Sequence, residues 1–232
     1  MFPDCHNGEG WMSIRSTYNP GSLAFPAPFL EHGSRMMSYL YASDMASLQA
    51  VCDTWFGPVA EDGEYRYEPL APVVLVTFGD NTSARPQALP YTNWGVVPYH
   101  EVIFSIFVVR LKKTDGVWLA DRVASFVPYI FVDDSIVMIG GREVYGMPKN
   151  IGWIEMPSTA EATEHRLRLE TVTTPEFTPG LPFTRSTIAE ITSTGVTLGE
   201  IWNDVETAYA ALRDIIFGAH HLHLPDLNLI IE

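Results

Sequence analysis

The chain has 232 residues, 47% hydrophobic and 18% charged, so it carries enough apolar side chain for a sizeable core and too little charge to be disordered. Its 14 Lys plus Arg face 28 Asp plus Glu, a formal charge of -14 that repels both a phosphate backbone and an anionic membrane surface. No stretch approaches the roughly 20 apolar residues of a spanning helix, residues 1–11 lack a basic-then-apolar leader, and Cys5 and Cys52 are too few for a disulfide framework. These features predict a cytoplasmic globular protein that binds neither nucleic acid nor membrane.

In chain order, residues 1–30 mix Gly, Pro, Ser and aromatics without a period and read as an irregular arm. Residues 36–41 suit a strand. Ser43 or Asp44 then caps a helix through about Trp55, with Met45, Leu48, Val51 and Cys52 on one face. Residues 72–78 are an apolar, β-branched run, a buried strand, and 81–97 read as a loop. Residues 101–111 and 117–132 form a hairpin over Asp115-Gly116, a strong two-residue turn pair. Asp133-Asp134-Ser135 caps a helix over 136–145, interrupted by Gly140-Gly141. Two adjacent helical glycines cost up to about 1 kcal/mol each, and close approach of another backbone is one reason to accept that. Residues 152–156 and 166–172 alternate as half-exposed strands do, 188–201 add one or two strands, 204–217 suit a helix, and 222–232 suit a last strand. No repeat or linker divides the chain. The expectation is one α+β domain over 1–232, dominated by antiparallel strands.

The lysines are informative because there are only three, against eleven arginines. Lys112 and Lys113 flank the hairpin turn and belong in solvent. Lys149 follows Gly146-Met147-Pro148 without a basic neighbour, and is either a snorkelling surface residue or a partly buried amine with a purpose. Glu101, beside His100, opens a long apolar strand, and is either a solvated strand end or a carboxylate aimed into a cavity. Phosphate-loop, dinucleotide and nucleophile-elbow motifs are absent. His220, His221 and His223 near Asp226 lack the spacing of a metal site and read as surface or packing residues.

Residues 126–134, Phe-Val-Pro-Tyr-Ile-Phe-Val-Asp-Asp, and 141–149, Gly-Arg-Glu-Val-Tyr-Gly-Met-Pro-Lys, together form a stretch that resembles the active-site segment of the acetoacetate decarboxylase superfamily. That segment runs from an aromatic-rich strand through an acidic cap and Gly-Arg-Glu to Pro-Lys, ending on the Schiff-base lysine. Weaker similarity reaches upstream to Ala24-Phe25-Pro26 and Tyr41-Ala42-Ser43-Asp44, and only general likeness remains after about Val172. The resemblance implies a closed, cone-like antiparallel β-barrel with a few short helices, usually in a homo-oligomer, working without cofactor or metal. It implies Lys149 as the nucleophile and Glu101 at the place of the catalytic glutamate, shuttling protons or orienting the substrate. Arg35 falls within one residue of the family's arginine and would pair with a substrate carboxylate. Tyr145 and Arg142 would shape the site. Trp94, Tyr129 and Trp153, with Tyr145, are read either as pocket walls or as ordinary barrel core.

A free lysine has a pKa of about 10.4, so less than about 1% is nucleophilic at neutral pH. Desolvation or a neighbouring cation lowers that value, as in acetoacetate decarboxylase itself. One departure stands out: decarboxylases of the family typically carry a second lysine after the first, and this chain has Asn150. The implied activity is a Schiff-base lyase acting on a small keto acid. The alternatives are an aldolase-dehydratase or other non-decarboxylating natural-product enzyme of the superfamily, or a non-catalytic barrel that binds a small apolar ligand with Lys149 as anchor.

Overall fold

The computed structural model describes residues 27–58, 63–93, 95–157, 164–174 and 178–194, with Thr207 and Ala210. Most of the N-terminal arm, Trp94, the tail strand and the three clustered histidines lie outside the described residues, as does the 204–217 helix apart from those two positions, both helical.

The longest apolar runs of the sequence become the central strands. β3 (Val73–Pro86), β4 (Val97–Thr114) and β5 (Val117–Val132) form a sheet with β1 (Phe29–Ala42) and β6 (Lys149–Ile151), in the order β1-β3-β4-β5-β6. β2 (Tyr65–Pro69) pairs with β4, giving six strands, all antiparallel to their neighbours except β6, which runs parallel to β5. β7 (Trp153–Glu155), β8 (Glu164–Thr173) and β9 (Thr184–Thr194) form a second, three-stranded antiparallel sheet. The fold is thus α+β and mainly antiparallel, and among the described residues the pairings make two sheets rather than a closed ring of strands.

Local chemistry accounts for the punctuation. Asp115 and Gly116 take φ values of 51° and 80°, the left-handed pair that a tight hairpin turn demands. α1 (Met45–Phe56) is capped by Asp44, whose carboxylate accepts from the Ser47 N–H at 2.8 Å. α2 (Ser135–Tyr145) is capped by Asp134, which accepts from Ile136 and Val137 at 2.8 and 3.0 Å. Two expectations are corrected. The first strand begins at Phe29, so Phe29 and Leu30 are not arm, and residues 81–86 continue β3 instead of looping. Asn81-Thr-Ser-Ala-Arg-Pro86 has little strand propensity, but pairing with β1 out to Phe29 against Pro86 overrides it.

Both faces of the large sheet are covered, which is why its strands read as nearly continuous apolar runs. One face carries Met37, Val76, Phe78, Val102 and Phe131 onto Leu167 and Leu169 of β8, forming the main core. Further along, α1 packs Leu48 and Cys52 against Ile106 and Val108. The opposite face, with Ala84, Tyr99, Ile130 and Val132, meets Val137 and Met138 of α2.

Gly33 decides which β1 side chains reach that second face. His32 and Ser34 pair with Ser83 and Asn81, while Gly33 sits between them at φ 67°. The irregularity turns the strand's alternation over. Arg35 stays on the β8 side, whereas Glu31 emerges on the α2 side, against Tyr99. A Cβ on Gly33 would lie 2.2 Å from Thr82 Oγ1 at a backbone angle that alanine resists. Gly33→Ala is therefore expected to lower the stability read from urea unfolding by roughly 1–3 kcal/mol.

Candidate active site

Lys149 is only 7% exposed, and the route by which the chain buries it is local. α2 ends at Gly146, whose left-handed φ of 66° reverses the chain, and Met147 N–H donates to Gly141 O at 2.9 Å. The three-residue strand β6 then docks parallel to β5, with Lys149 beside Ile130 and its side chain directed at α2. The helix admits it because residue 141 is glycine: a Cβ there would meet Lys149 Cδ at 2.4 Å and Cε at 2.8 Å. Of the glycine pair, Gly141 is thus explained by close approach, of a side chain rather than a backbone, while a Cβ at Gly140 would meet open space.

Glu101, also 7% exposed, lies on β4, across β5 from the lysine strand, with Oε2 3.9 Å from Lys149 Nζ, an ion pair too long for a hydrogen bond. Gly79 makes room for it, since a Cβ there would stand 3.0 Å from Glu101 Cγ. Its other oxygen accepts from Asn81 Nδ2 at 3.3 Å, and Asn81, fully buried, accepts in turn from Ser34 Oγ at 2.6 Å. Tyr99 places its ring 5.5 Å from Nζ and donates its hydroxyl to Glu31 Oε1 at 2.6 Å. Of these residues, Glu31, Tyr99 and Lys149 line a cavity of about 290 Å³, together with Phe29, Val137, Tyr145 and Met147 among others.

Burial works on the lysine and the glutamate in opposite directions. Desolvation pulls the Lys149 ammonium below the ordinary lysine range, opposed by the carboxylates of Glu101 and Glu31. Desolvation pushes Glu101 above the ordinary carboxylate range; Glu31 adds to this, while Lys149 and the Asn81 hydrogen bond oppose it. Both shifts favour the neutral pair, an amine with a carboxylic acid beside it. Burial, with the nearby Glu101 and Glu31, also pushes the Tyr99 phenol up, so its hydroxyl remains a donor. A nucleophilic amine, an acid-base group and an apolar wall thus meet at one place, which suits covalent capture of a carbonyl compound.

The other residues expected at the site divide. Tyr145 lines the cavity mouth, its ring 6.1 Å from that of Phe29. Arg142 is exposed and donates Nη1 to the Lys149 carbonyl at 3.1 Å, holding the backbone of the nucleophile rather than facing the cavity. Arg35 is turned away. It pairs with Asp80 at 3.0 Å and donates to Pro157 O at 2.6 Å on the opposite face of the sheet, where His100 also sits, 2.6 Å from Asp133. The β1 residue next to it on the lysine side is Ser34. Tyr129 lies edge-on to Trp55, and Trp153 lies beneath the Arg185 guanidinium, so neither lines the cavity. Asn150 is exposed and donates to Pro148 O at 3.2 Å. Trp94 lies outside the described residues. Glu31 and Asn81 were not singled out in the sequence, because their places depend on the Gly33 irregularity and on strand pairing. Among the described residues there is no group of three or more His, Cys, Asp or Glu able to hold a metal ion, and no helix long and apolar enough to cross a membrane.

The chain is a member of a known family of proteins. The family described as acetoacetate decarboxylase (ADC) matches residues 12–185. The chain belongs to that family. An acetoacetate decarboxylase structure is similar at 16% identity and TM-score 0.51, over 81% of this chain and 58% of its own. That of Legionella pneumophila subsp. pneumophila str. Philadelphia 1 aligns at 19% identity and TM-score 0.42, over 62% of this chain and 46% of its own. The enduracididine biosynthesis enzyme MppR, in complex with the condensation product of pyruvate and imidazole 4-carboxaldehyde, aligns at 17% identity and TM-score 0.43, over 64% and 53%. The chain therefore spans about half the length of these relatives. No curated protein sequence matches it.

Proposed function

We propose that this protein is a Schiff-base-forming enzyme of small carbonyl compounds, with Lys149 as nucleophile and Glu101 as proton carrier. The observation that carries the reading is a buried amine 3.9 Å from a buried carboxyl group at the edge of an apolar cavity. The neutral amine adds to the carbonyl carbon. Glu101 supplies a proton to the departing oxygen, which leaves as water, and the iminium remains on Nζ. With a β-keto acid, the carbon–carboxylate bond breaks, its electron pair passes to the iminium nitrogen, and carbon dioxide leaves. With a substrate bearing an α-hydrogen, the Glu101 carboxylate takes that proton and the same pair yields an enamine. Protonation or addition to a second carbonyl then precedes hydrolysis, which returns the free lysine.

Lyase action on a small keto acid is the family's reading. The aldol and dehydration alternative draws support from the charges: no arginine among the described residues lines the cavity. With the family reading go a cone-like barrel, whose two walls the packed sheets would be, a homo-oligomer and a cytoplasmic setting.

Reductive trapping tests the chemistry. The protein is incubated with acetoacetate, pyruvate or butanal, reduced with cyanoborohydride, and read by intact mass and peptide mapping. A single adduct on Lys149, absent in Lys149→Ala and not on Lys112 or Lys113, is the expected result. With acetoacetate, the adduct mass separates an acetone imine left by decarboxylation from the intact acid. No Lys149 adduct with any of the three would leave the ligand-binding alternative.

A further inference from the structure

The cavity is charged in the wrong sense for a keto acid. Among the described residues, the acid and base that line it are Glu31 and Lys149, with the Tyr99 phenol kept as a donor and Glu101 3.9 Å from the lysine nitrogen. Burial drives Lys149 and Glu101 towards the neutral pair, which leaves the Glu31 carboxylate as the charge at the cavity wall. A substrate carboxylate would add a second negative group there, with no cation among the described lining residues to meet it. Two guanidiniums close in sequence to the lining residues are committed elsewhere, Arg35 to Asp80 and the Pro157 carbonyl across the sheet and Arg142 to the backbone carbonyl of Lys149. Arg85, next to Ala84, is not among the lining residues. The β1 residue that does face Asn81 and the lysine side is the hydroxyl-bearing Ser34. At the mouth stands Glu31, exposed, on the strand segment that Gly33 turns inward. A carboxylate offers about four acceptor sites, and Tyr99 takes one of them.

We propose that the cavity selects uncharged carbonyl compounds carrying a hydroxyl or amine donor, and discriminates against keto acids, with Glu31 as the residue that determines this specificity and Tyr99 as the residue that holds it in place. The proposal rests on the Schiff-base reading of Lys149. In it the ketone or aldehyde carbon lies at Nζ, the donor reaches Glu31, and Phe29, Val137 and Met147 enclose the carbon skeleton. The chemistry left to such a substrate is enamine formation by loss of an α-proton, followed by addition or dehydration. A decarboxylation has no carboxylate to act on.

Hydroxyacetone and pyruvate make a matched pair, sharing a methyl ketone and differing in a hydroxymethyl against a carboxylate. Rates of cyanoborohydride trapping at Lys149 are measured for each and divided by the rate on Nα-acetyllysine, which removes the difference in intrinsic electrophilicity. Wild-type protein is expected to favour hydroxyacetone over pyruvate by about tenfold or more after that correction. Glu31→Gln, a change at an exposed position, should bring the ratio close to unity, and Glu31→Arg should invert it. A Lys149 adduct that forms as readily with pyruvate in the wild type overturns the specificity while leaving the Schiff base standing. So does a preference for hydroxyacetone that Glu31→Gln leaves unchanged. No Lys149 adduct with either compound removes the Schiff base itself, and the specificity with it.

Discussion

Gly141→Ala is expected to abolish the reactivity of Lys149 while leaving the fold in place. The new methyl would occupy the position of the lysine stem, 2.4 Å from Cδ and 2.8 Å from Cε. Helix propensity itself favours the substitution by up to about 1 kcal/mol, so the thermal midpoint should not collapse. What changes is the aim of the amine. A displacement of the order of an ångström at a reacting atom costs about a hundredfold in rate, and that loss is the one expected in trapping at Lys149. Gly140→Ala is the matched control, because its added methyl meets no atom within 4 Å. It should trap like the wild type and melt at the same temperature or above. If Gly141→Ala also traps like the wild type, Lys149 does not need the path under α2, and the buried site described above is not where it reacts.

Glu101→Gln is expected to separate two roles that one carboxyl group combines. Burial lowers the Lys149 pKa, and the Glu101 carboxylate pulls it back up. Removing that charge should let the pKa fall further, so labelling of Lys149 by an amine-reactive electrophile should rise at a lower pH than in the wild type. Turnover, by contrast, loses its proton carrier and should fall by about 10²–10⁴. A variant more reactive towards electrophiles at low pH but far slower in turnover is the outcome required. If the labelling profile moves to higher pH, the Glu101 carboxylate is not the group that opposes the fall in the Lys149 pKa. Glutamine preserves the acceptor towards Asn81 Nδ2 and fits the space left by Gly79, so a general loss of structure is not the expected cause.

Much of the fold was legible in local patterns. The apolar runs of β3, β4 and β5, the Asp115-Gly116 turn and the caps at Asp44 and Asp134 are dictated over a few residues by burial, backbone angle and orphan N–H groups. Residues 81–86 were not legible, because Asn, Thr, Ser and Pro carry no strand pattern, and only pairing with β1 extends them. Lys149 and Glu101 stood out by chemical type, a lone lysine and a carboxylate opening an apolar run. Tyr145 lines the cavity, whereas Arg35 lies across the sheet, and Tyr129 and Trp153, readable as pocket wall or as core, are not among the lining residues.

The sequence by itself determined which residue types the protein could use: one isolated lysine without a cationic neighbour, a glycine pair in the helix before it, and a family motif joining them. Tertiary structure alone decided which of these face one another. Side chains on a strand alternate, so the irregularity at left-handed Gly33 and at residues 81–84 of its partner strand sends Glu31 to the cavity and leaves Arg35 on the far side, where Asp80 holds it. Charge at the site is a sum over strands far apart in sequence. The same 232 residues that carry an arginine near the expected place therefore build a cavity lined by Glu31 instead, with Glu101 beside its lysine.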